Sequence, residues 1–384
     1  MKAESKIRIA HIQGNSLIGG SQIHTKMLME NLPKDSYEHY LVAPEIGVFK
    51  DVIESKNIQY LLLSMSSKYN IGTSMRIARW CRENRIDIIH THLRNADLHG
   101  QLAAFFSRTP VKLLTLHDIP NTDFTGIKTI NNFSGMIYKR IMSLIPTRII
   151  TISRYIKNET IKIEPALDNK IITIYNGTDI ELFNDIFIEH SKKSLSRKLT
   201  IGYVGRFTPR KNPSVYVRIM KELLDNKMDV RGVMFGDGPL MSDVRNMIND
   251  LKISEEIRLM GNVSEVKDIY RDMDILLFPA EKEPFGRVIT EAMSAGVLVV
   301  AADSGAIPEI ITHNKDGILF ANVALGVSEL LSVIHNTDKW KMITRDAREK
   351  SVRNFSAGVF TQNTSNLYKS LIQGLRAPTP ESGR

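Results

Sequence analysis

The stretch 278-FPAEKEPFGRVITEAMSAGVLVVAADSGAIPEII-311 decides how this chain is read. An apolar strand, 274-DILLFP-279, runs into a short acidic loop ending at Glu283-Pro284-Phe285-Gly286, and a helix carrying Glu291 follows. Glu283 lies on the loop, and Glu291 lies roughly 2.2 turns further along, inside the helix. Between them, the backbone N–H groups of Gly286, Arg287, Val288 and Ile289 are the unpaired donors of a helix start. They carry the positive end of its dipole and suit a phosphate. A sugar, a diphosphate and a ribose, in that order, would satisfy all three groups. Helix-start glutamates also occur for dipole reasons alone. That accounts for Glu283 more easily than for Glu291, which stands beside Ala292, Met293 and Ala295, where a buried carboxylate needs a partner.

Outward from this stretch the chain alternates strand and helix twice over. The first run has apolar strands at 7-IRIAHIQ-13, 39-HYLVAP-44, 58-IQYLLL-63, 86-IDIIHTH-92, 111-VKLLTLH-117, 148-RIITIS-153 and 171-IITIYN-176. A second begins at 199-LTIGYVG-205 and continues through 229-DVRGVMFG-236, 255-EEIRLMG-261, 273-MDILLFP-279, 296-GVLVVAA-302 and 316-DGILF-320. Near-continuous apolar strands separated by helices predict an α/β protein with parallel sheets buried on both faces. The predicted parts are a domain at 1–180, a polar, serine-rich linker at 181–197, a second domain at 198–354, a helix at 355–375 and a disordered tail at 376–384. Ligands of doubly wound sheets sit beyond the carboxyl ends of the strands, where nearly every motif below falls.

At 384 residues the chain is long for one core, which supports two domains. The single cysteine, Cys81, excludes an internal disulfide framework, and few histidines stand at ligand spacing, so neither disulfides nor a zinc site is expected. A reducing, cytoplasmic compartment fits. The opening MKAESKIRIAHIQ does not read as a signal peptide, because Arg8 and His11 interrupt its short apolar run. No run reaches the roughly 18 apolar residues of a membrane span.

Of the net charge of +9, most lies in residues 1–198, with 27 basic against 19 acidic residues. Such a surface fits a small anionic substrate, and equally an anionic membrane surface. No basic motif is interleaved with aromatics, so no nucleic-acid partner is expected. Residues 126–157 carry Lys128, Lys139, Arg140, Arg148, Arg154 and Lys157 and no acidic residue. Met136, Ile137, Ile141, Met142, Leu144 and Ile145 interleave with the pair Lys139-Arg140. An amphipathic helix lying at a bilayer would look like this, and so would an ordinary basic helix of the domain.

Other motifs complete the pattern. Arg206 and Lys211, in 202-GYVGRFTPRKN-212, follow a strand, where a guanidinium fork and an ammonium could neutralise a diphosphate; in isolation they could be a solvated loop. Gly19-Gly20 end the loop after the first strand and permit close backbone approach to a ligand, although a lone glycine pair is often only a turn. His117 closes a strand in 115-TLHD-118, where it could also simply bond a carbonyl, with Asp118 as a cap. His90 and His92, in 90-HTHLRNADLHG-100, read as satisfied strand-end residues, and neither pair reads as a metal site. Gly236, Asp237 and Gly238, in 235-FGDGPL-240, cap a strand, and Val263 lies in the loop 261-GNVS-264. Glu309, in 304-SGAIPE-309, is read as orienting a helix start.

Taken together and in order, with 175-YNGTD-179, these motifs resemble the retaining glycosyltransferases of family 4, which have the GT-B fold. The resemblance covers nearly the whole chain. It implies two Rossmann-like doubly wound domains facing a cleft, with the last helix crossing back to the first domain. It implies that Arg206 and Lys211 stabilise a leaving diphosphate, Glu283 bonds donor-sugar hydroxyls, Glu291 bonds the ribose and His117 touches the donor sugar. The helix start at Phe285, Gly286 and Arg287 would hold the donor together with Gly236, Val263, Gly19 and Gly20. The family often has Glu where this chain has Gln22.

The implied activity moves a hexose from a UDP-, GDP- or ADP-sugar to a hydroxyl of a glycan or lipid-linked glycan, with retained configuration, as in surface polysaccharide or lipopolysaccharide synthesis. Neither a further cofactor nor a metal is implied. The enzyme would be cytoplasmic, at the inner face of the membrane if the basic stretch binds lipid. Two other classes fit the fold, a nucleotide-sugar epimerase and a non-catalytic partner subunit. The presence of Arg206, Lys211, Glu283 and Glu291 together speaks against the second.

Overall fold

The computed structural model describes residues 6–15, 19–67, 70–120, 133–193, 198–263 and 265–376, with the backbone alone at 133–135, 137 and 376. All the apolar runs named above become strands, their ends shifted by up to three residues. These are β1 (Ile7–Gln13), β2 (Tyr37–Ala43), β3 (Gln59–Leu62), β4 (Ile88–His92), β5 (Val111–Leu116), β6 (Arg148–Thr151) and β7 (Ile171–Thr173), then β8 (Leu199–Val204), β9 (Val230–Phe235), β10 (Ile257–Gly261), β11 (Ile275–Phe278), β12 (Leu298–Ala302) and β13 (Ile318–Phe320). The first seven form one sheet in the order β3-β2-β1-β4-β5-β6-β7, and the other six form a second in the order β10-β9-β8-β11-β12-β13. Every pairing is parallel. The strand order reverses at β1/β4 in the first sheet and at β8/β11 in the second, and such reversals are where α/β sheets bind ligands.

The chain divides into two compact units, one running up to Gly177 and resumed from Ala357, the other spanning Thr178–Ser356. In the first unit, strand alternation sends residues to two cores. Ile9, Ile88 and Leu113 pack with Leu28 and with Phe360 and Tyr368 of the terminal helix. Ala10, Ile12 and Ile89 pack with Val42, Ile77 and Ala103 on the other face. The helix Ala357–Arg376 is thus built into the first unit, where the Tyr37 hydroxyl meets Ser365 Oγ at 2.7 Å. In the second unit, Ile201, Tyr203, Leu298 and Val300 share a core with Tyr216, Leu330 and Trp340.

The segment expected to be a linker differs from its polar reading. Asn184–Lys192 is a helix of the second unit. Its Ile186 is buried, and Phe187 packs where an added Cβ on Gly296 would stand 2.8 Å from the ring. Asp185 pairs with Arg271 at 2.9 Å and with Lys267 at 3.3 Å, and Glu189 pairs with Arg271. Residues 194–197 of the expected linker and 377–384 of the expected tail lie outside the described residues.

The loops after β8 and β9 interlock backbone to backbone. Gly205 N–H donates to the Phe235 carbonyl (3.0 Å) and Phe207 N–H to the Asp237 carbonyl (2.9 Å). Gly236 has φ +124°, and a Cβ there would stand 2.1 Å from the Gly205 oxygen. At Gly20, by contrast, an added Cβ meets nothing within 4 Å. Gly236→Ala is therefore expected to destabilise the protein by about 2–4 kcal/mol, combining backbone strain with overpacking. Gly20→Ala, at a helix start, should change stability by less than about 1 kcal/mol. Urea midpoints of the two variants decide this, and an unchanged midpoint for Gly236→Ala would refute the interlock.

Candidate active site

The switch point of the second sheet sets the loops after β8 and β11 side by side. Tyr203, at the end of β8, is fully buried, and its hydroxyl lies 3.2 Å from the Arg206 carbonyl oxygen and 3.4 Å from that of Lys211. It ties both ends of the cationic loop to the sheet. Across from it, Glu281 N–H donates to the Arg210 carbonyl (2.8 Å), and Asn212 Nδ2 donates to Glu281 Oε1 (3.1 Å). Lys211 Nζ donates to Glu283 Oε2 at 2.6 Å and lies 5.0 Å from the centroid of Phe278. Glu283 keeps 8% of its side-chain surface and Lys211 20%. A carboxylate this buried requires a cation. The residues read separately as a diphosphate clamp and a sugar contact thus form one ion pair.

Glu283 is fixed from a third side. The Ala306 N–H donates to its carbonyl at 2.8 Å. Gly305, with φ +63°, comes so close that a Cβ would stand 2.4 Å from Glu283 N. Ser304 Oγ accepts from Lys282 N–H at 2.9 Å. Sequence reasoning gave this stretch only a helix-orienting role for Glu309, which does lie in the first turn of the short helix Ile307–Ile310. The signal that was available is the Ser304-Gly305 pair, one residue beyond strand β12.

The helix Arg287–Ala295 starts at Gly286, whose φ of +95° lies in the left-handed region that glycine tolerates. Two of the expected ligand groups there have internal duties. Ile289 N–H donates to the Gly286 carbonyl at 2.9 Å, which removes it from the set of phosphate donors. Phe285 is 2% exposed and packs its ring 5.9 Å from that of Phe355, so its side chain belongs to the core and does not line a ligand site. Glu291 has the partners its setting demands. Tyr270 donates to Oε2 at 2.8 Å, and Arg287 approaches Oε1 at 3.4 Å. Burial and the adjacent carboxylate push the Tyr270 phenol well above its ordinary pKa, so it stays a donor.

The remaining predicted residues are placed less tightly. Gly236 and Gly238 act as backbone spacers, the second because a Cβ would stand 2.6 Å from the Phe207 oxygen. Val263 follows β10, where the Gly261 carbonyl accepts from Gly236 N–H at 2.7 Å. Gly19 is extended (φ −169°) and Gly20 opens the helix Gly20–Asn31, so neither glycine is needed for a left-handed turn. Gln22 is buried and donates to Asn15 Oδ1 at 2.6 Å, which braces this loop from the helix.

In the first unit the switch point is lined by imidazoles. His11 on β1, His90 and His92 on β4, His39 on β2 and His24 on the first helix are all buried, and half-buried His117 follows β5. His90 is satisfied by the Tyr368 hydroxyl (2.6 Å) and by Thr115 Oγ1 (2.7 Å). Among the described residues, His92 Nδ1 meets only His117 Nε2, at 3.3 Å, and its Nε2 has no hydrogen-bond partner. Burial holds His92 and His117 well below the ordinary imidazole pKa, helped by their neighbouring rings. Reading the histidines two at a time missed this cluster, because the fold adds His11 and His24 from other elements. Nearby, Asp97 accepts from Thr91 Oγ1 (2.7 Å) and from the Tyr138 hydroxyl (3.0 Å), and burial raises its pKa to about 7.

The sequence model described as "Glycosyltransferase Family 4" matches residues 18–182, and the one described as "Glycosyl transferases group 1" matches residues 185–350. Among curated relatives, the UDP-Gal:alpha-D-GlcNAc-diphosphoundecaprenol alpha-1,3-galactosyltransferase of Escherichia coli is 24% identical, over 96% of this chain and 98% of its own length. The capsular polysaccharide biosynthesis glycosyltransferase CapM of Staphylococcus aureus is also 24% identical, over 74% and 77% respectively. Among solved structures, Anabaena HepE in complex with UDP and glucose superposes with a TM-score of 0.80 at 19% identity, covering 95% of this chain and 100% of its own. With one glycosyltransferase model over each half and this fold, the chain is a glycosyltransferase of the GT-B class.

Proposed function

We propose that this enzyme moves a hexose from a nucleotide diphosphate sugar to a hydroxyl of a glycan or lipid-linked glycan, with retention at the anomeric carbon and without a metal on the donor phosphates. The observation that carries the reading is the Lys211–Glu283 pair, held by three loops immediately before the helix start at Gly286. Lys211 spends one of its three N–H groups on Glu283. The others, with Arg206, supply the positive charge that a leaving diphosphate needs as the sugar bond breaks. Glu283 orients sugar hydroxyls, and Glu291, already a double acceptor, holds the ribose. From the first unit, His117 keeps the role the resemblance implies. In the reaction the C1–O bond to the phosphate breaks, the acceptor oxygen bonds to C1 on the same face, and its proton passes to the departing phosphate oxygen. The names of the relatives support a glycan or glycolipid acceptor, and the HepE complex supports a nucleotide-sugar donor.

A lipid-linked acceptor would sit at an anionic membrane surface. In the helix Phe133–Leu144, Tyr138, Ile141 and Met142 are buried in the domain, which removes them from any lipid-facing stripe. Met136 and Leu144 remain exposed, with exposed Arg140 one turn from each. Residues 126–132 of the basic stretch lie outside the described residues. The reading keeps this narrower ridge as the membrane contact.

Arg206→Ala or Lys211→Ala should lower turnover about a hundredfold to a thousandfold. Near-wild-type turnover in either variant, measured with a donor and acceptor that the wild type uses, would defeat the clamp. Nuclear magnetic resonance of the product gives the anomeric configuration, and an inverted product would exclude retention. By calorimetry, Glu291→Gln should weaken nucleoside diphosphate binding far more than Glu283→Gln, and equal losses would end the division of labour. Flotation with anionic vesicles should show salt-sensitive binding. Reversal of Lys139 and Arg140 to Glu should weaken it by about thirtyfold or more, at about 1 kcal/mol per lost cation. No flotation at low salt would leave a soluble acceptor.

A further inference from the structure

We propose that His24, His92 and His117 form a three-histidine site for a divalent transition-metal ion, built wholly within the first unit. One ring nitrogen from each of the three lies within 4.8 Å of the other two. A tetrahedral ion with metal–nitrogen bonds of about 2.0–2.1 Å sets its ligand nitrogens about 3.3 Å apart. His92 Nδ1 and His117 Nε2 are 3.3 Å apart, already at that spacing. For an N–H···N hydrogen bond the same distance is long.

The third ring has its hydrogen assigned by its neighbour. His24 Nδ1 lies 2.8 Å from Asn176 Oδ1, a carbonyl that can only accept, so the proton is on Nδ1 and the lone pair on Nε2. Metal-binding histidines are oriented by this kind of outer hydrogen bond. His92 is wholly buried and packed against four other imidazoles, yet among the described residues its one hydrogen-bond contact is the long one to His117. A metal bond at Nδ1 would replace that long contact with a strong one and would anchor the ring. The second histidine grouping, His11, His90 and His92, is the weaker candidate. Both His90 nitrogens are committed, to Tyr368 and Thr115, and a metal there would break one of those bonds.

The scaffold is rigid, since His92 ends β4, His117 follows β5 and His24 stands on the first helix at the sheet's switch point. His117 is only partly buried, so a fourth ligand can come from solvent, as in open three-histidine sites. Neutral imidazoles without carboxylate select Zn2+, Co2+, Ni2+ or Cu2+ over Mg2+ and Ca2+. If His117 also serves the donor sugar, as proposed above, the ion inhibits transfer. Binding measured without substrate tests the site independently of that reading.

The test is cobalt titration of the metal-free full chain, followed by visible absorption, with equilibrium dialysis against zinc and metal analysis. About one equivalent should bind, with the intense bands of tetrahedral cobalt, and Mg2+ should not compete. His92→Gln and His117→Asn should each weaken binding at least a hundredfold, and Asn176→Ala about ten- to hundredfold. His313→Ala, at an exposed histidine, should leave it unchanged. Thermal melting checks the fold of each variant, and the partly buried His117 decides the matter if His92→Gln does not fold. No stoichiometric cobalt or zinc binding by the wild type, or equal binding by folded His117→Asn, would overturn the site.

Discussion

Glu283 is a carboxylate with almost no access to water, and the second unit is arranged around it. Lys211 is bound to it, Phe278 lies beneath the ammonium, and Gly305 and Ala306 close over its backbone. Losing one partner of a fully buried pair costs about 3–5 kcal/mol, and the cost here is reduced because Lys211 keeps a fifth of its surface. Most of the neighbouring geometry serves that pair. Tyr203 and Asn212 fix the loop that carries Lys211, and the interlock of Gly205 with Gly236 fixes the start of the same loop. Charge is thus set in place before any ligand arrives, so the reaction need not spend ligand-binding energy on assembling it.

The two units share an architecture and differ in chemistry at equivalent points. In the second, the strand-order reversal is flanked by a cation, two carboxylates and a helix start. In the first it is flanked by imidazole rings that bond chiefly to one another, to Tyr368, to Thr115 and to Asn176. The fold supplies only the place, beyond the carboxyl ends of parallel strands.

What the sequence disclosed follows from how far each signal reaches. Strands such as 7–13 and 298–302 are legible because burial on both faces leaves an unbroken apolar run. The helix Asn184–Lys192 is not, because its burial rests on two residues, Ile186 and Phe187, and its charges find Arg271 and Lys267 about 80 positions away. The importance of Lys211 and Glu283 could be read from their motifs, but their union across 72 positions could not. Gly236 was legible as a glycine capping a strand, although what its conformation admits is the Gly205 carbonyl. The histidine cluster was hidden because each ring sits on a different element or faces a partner that only the sheet order brings near.

The placement of the terminal helix bears on how the chain is made. Phe360 and Tyr368 complete a core begun by Ile9 and Leu28, and Tyr368 satisfies the buried His90. During synthesis the first residues to emerge therefore wait, with an apolar sheet face uncovered, until the residues up to Arg376 have left the ribosome. The second unit, contiguous from Thr178 to Ser356, is whole before that. The part translated first is finished last, and the interval is when the nascent chain most needs protection from aggregation.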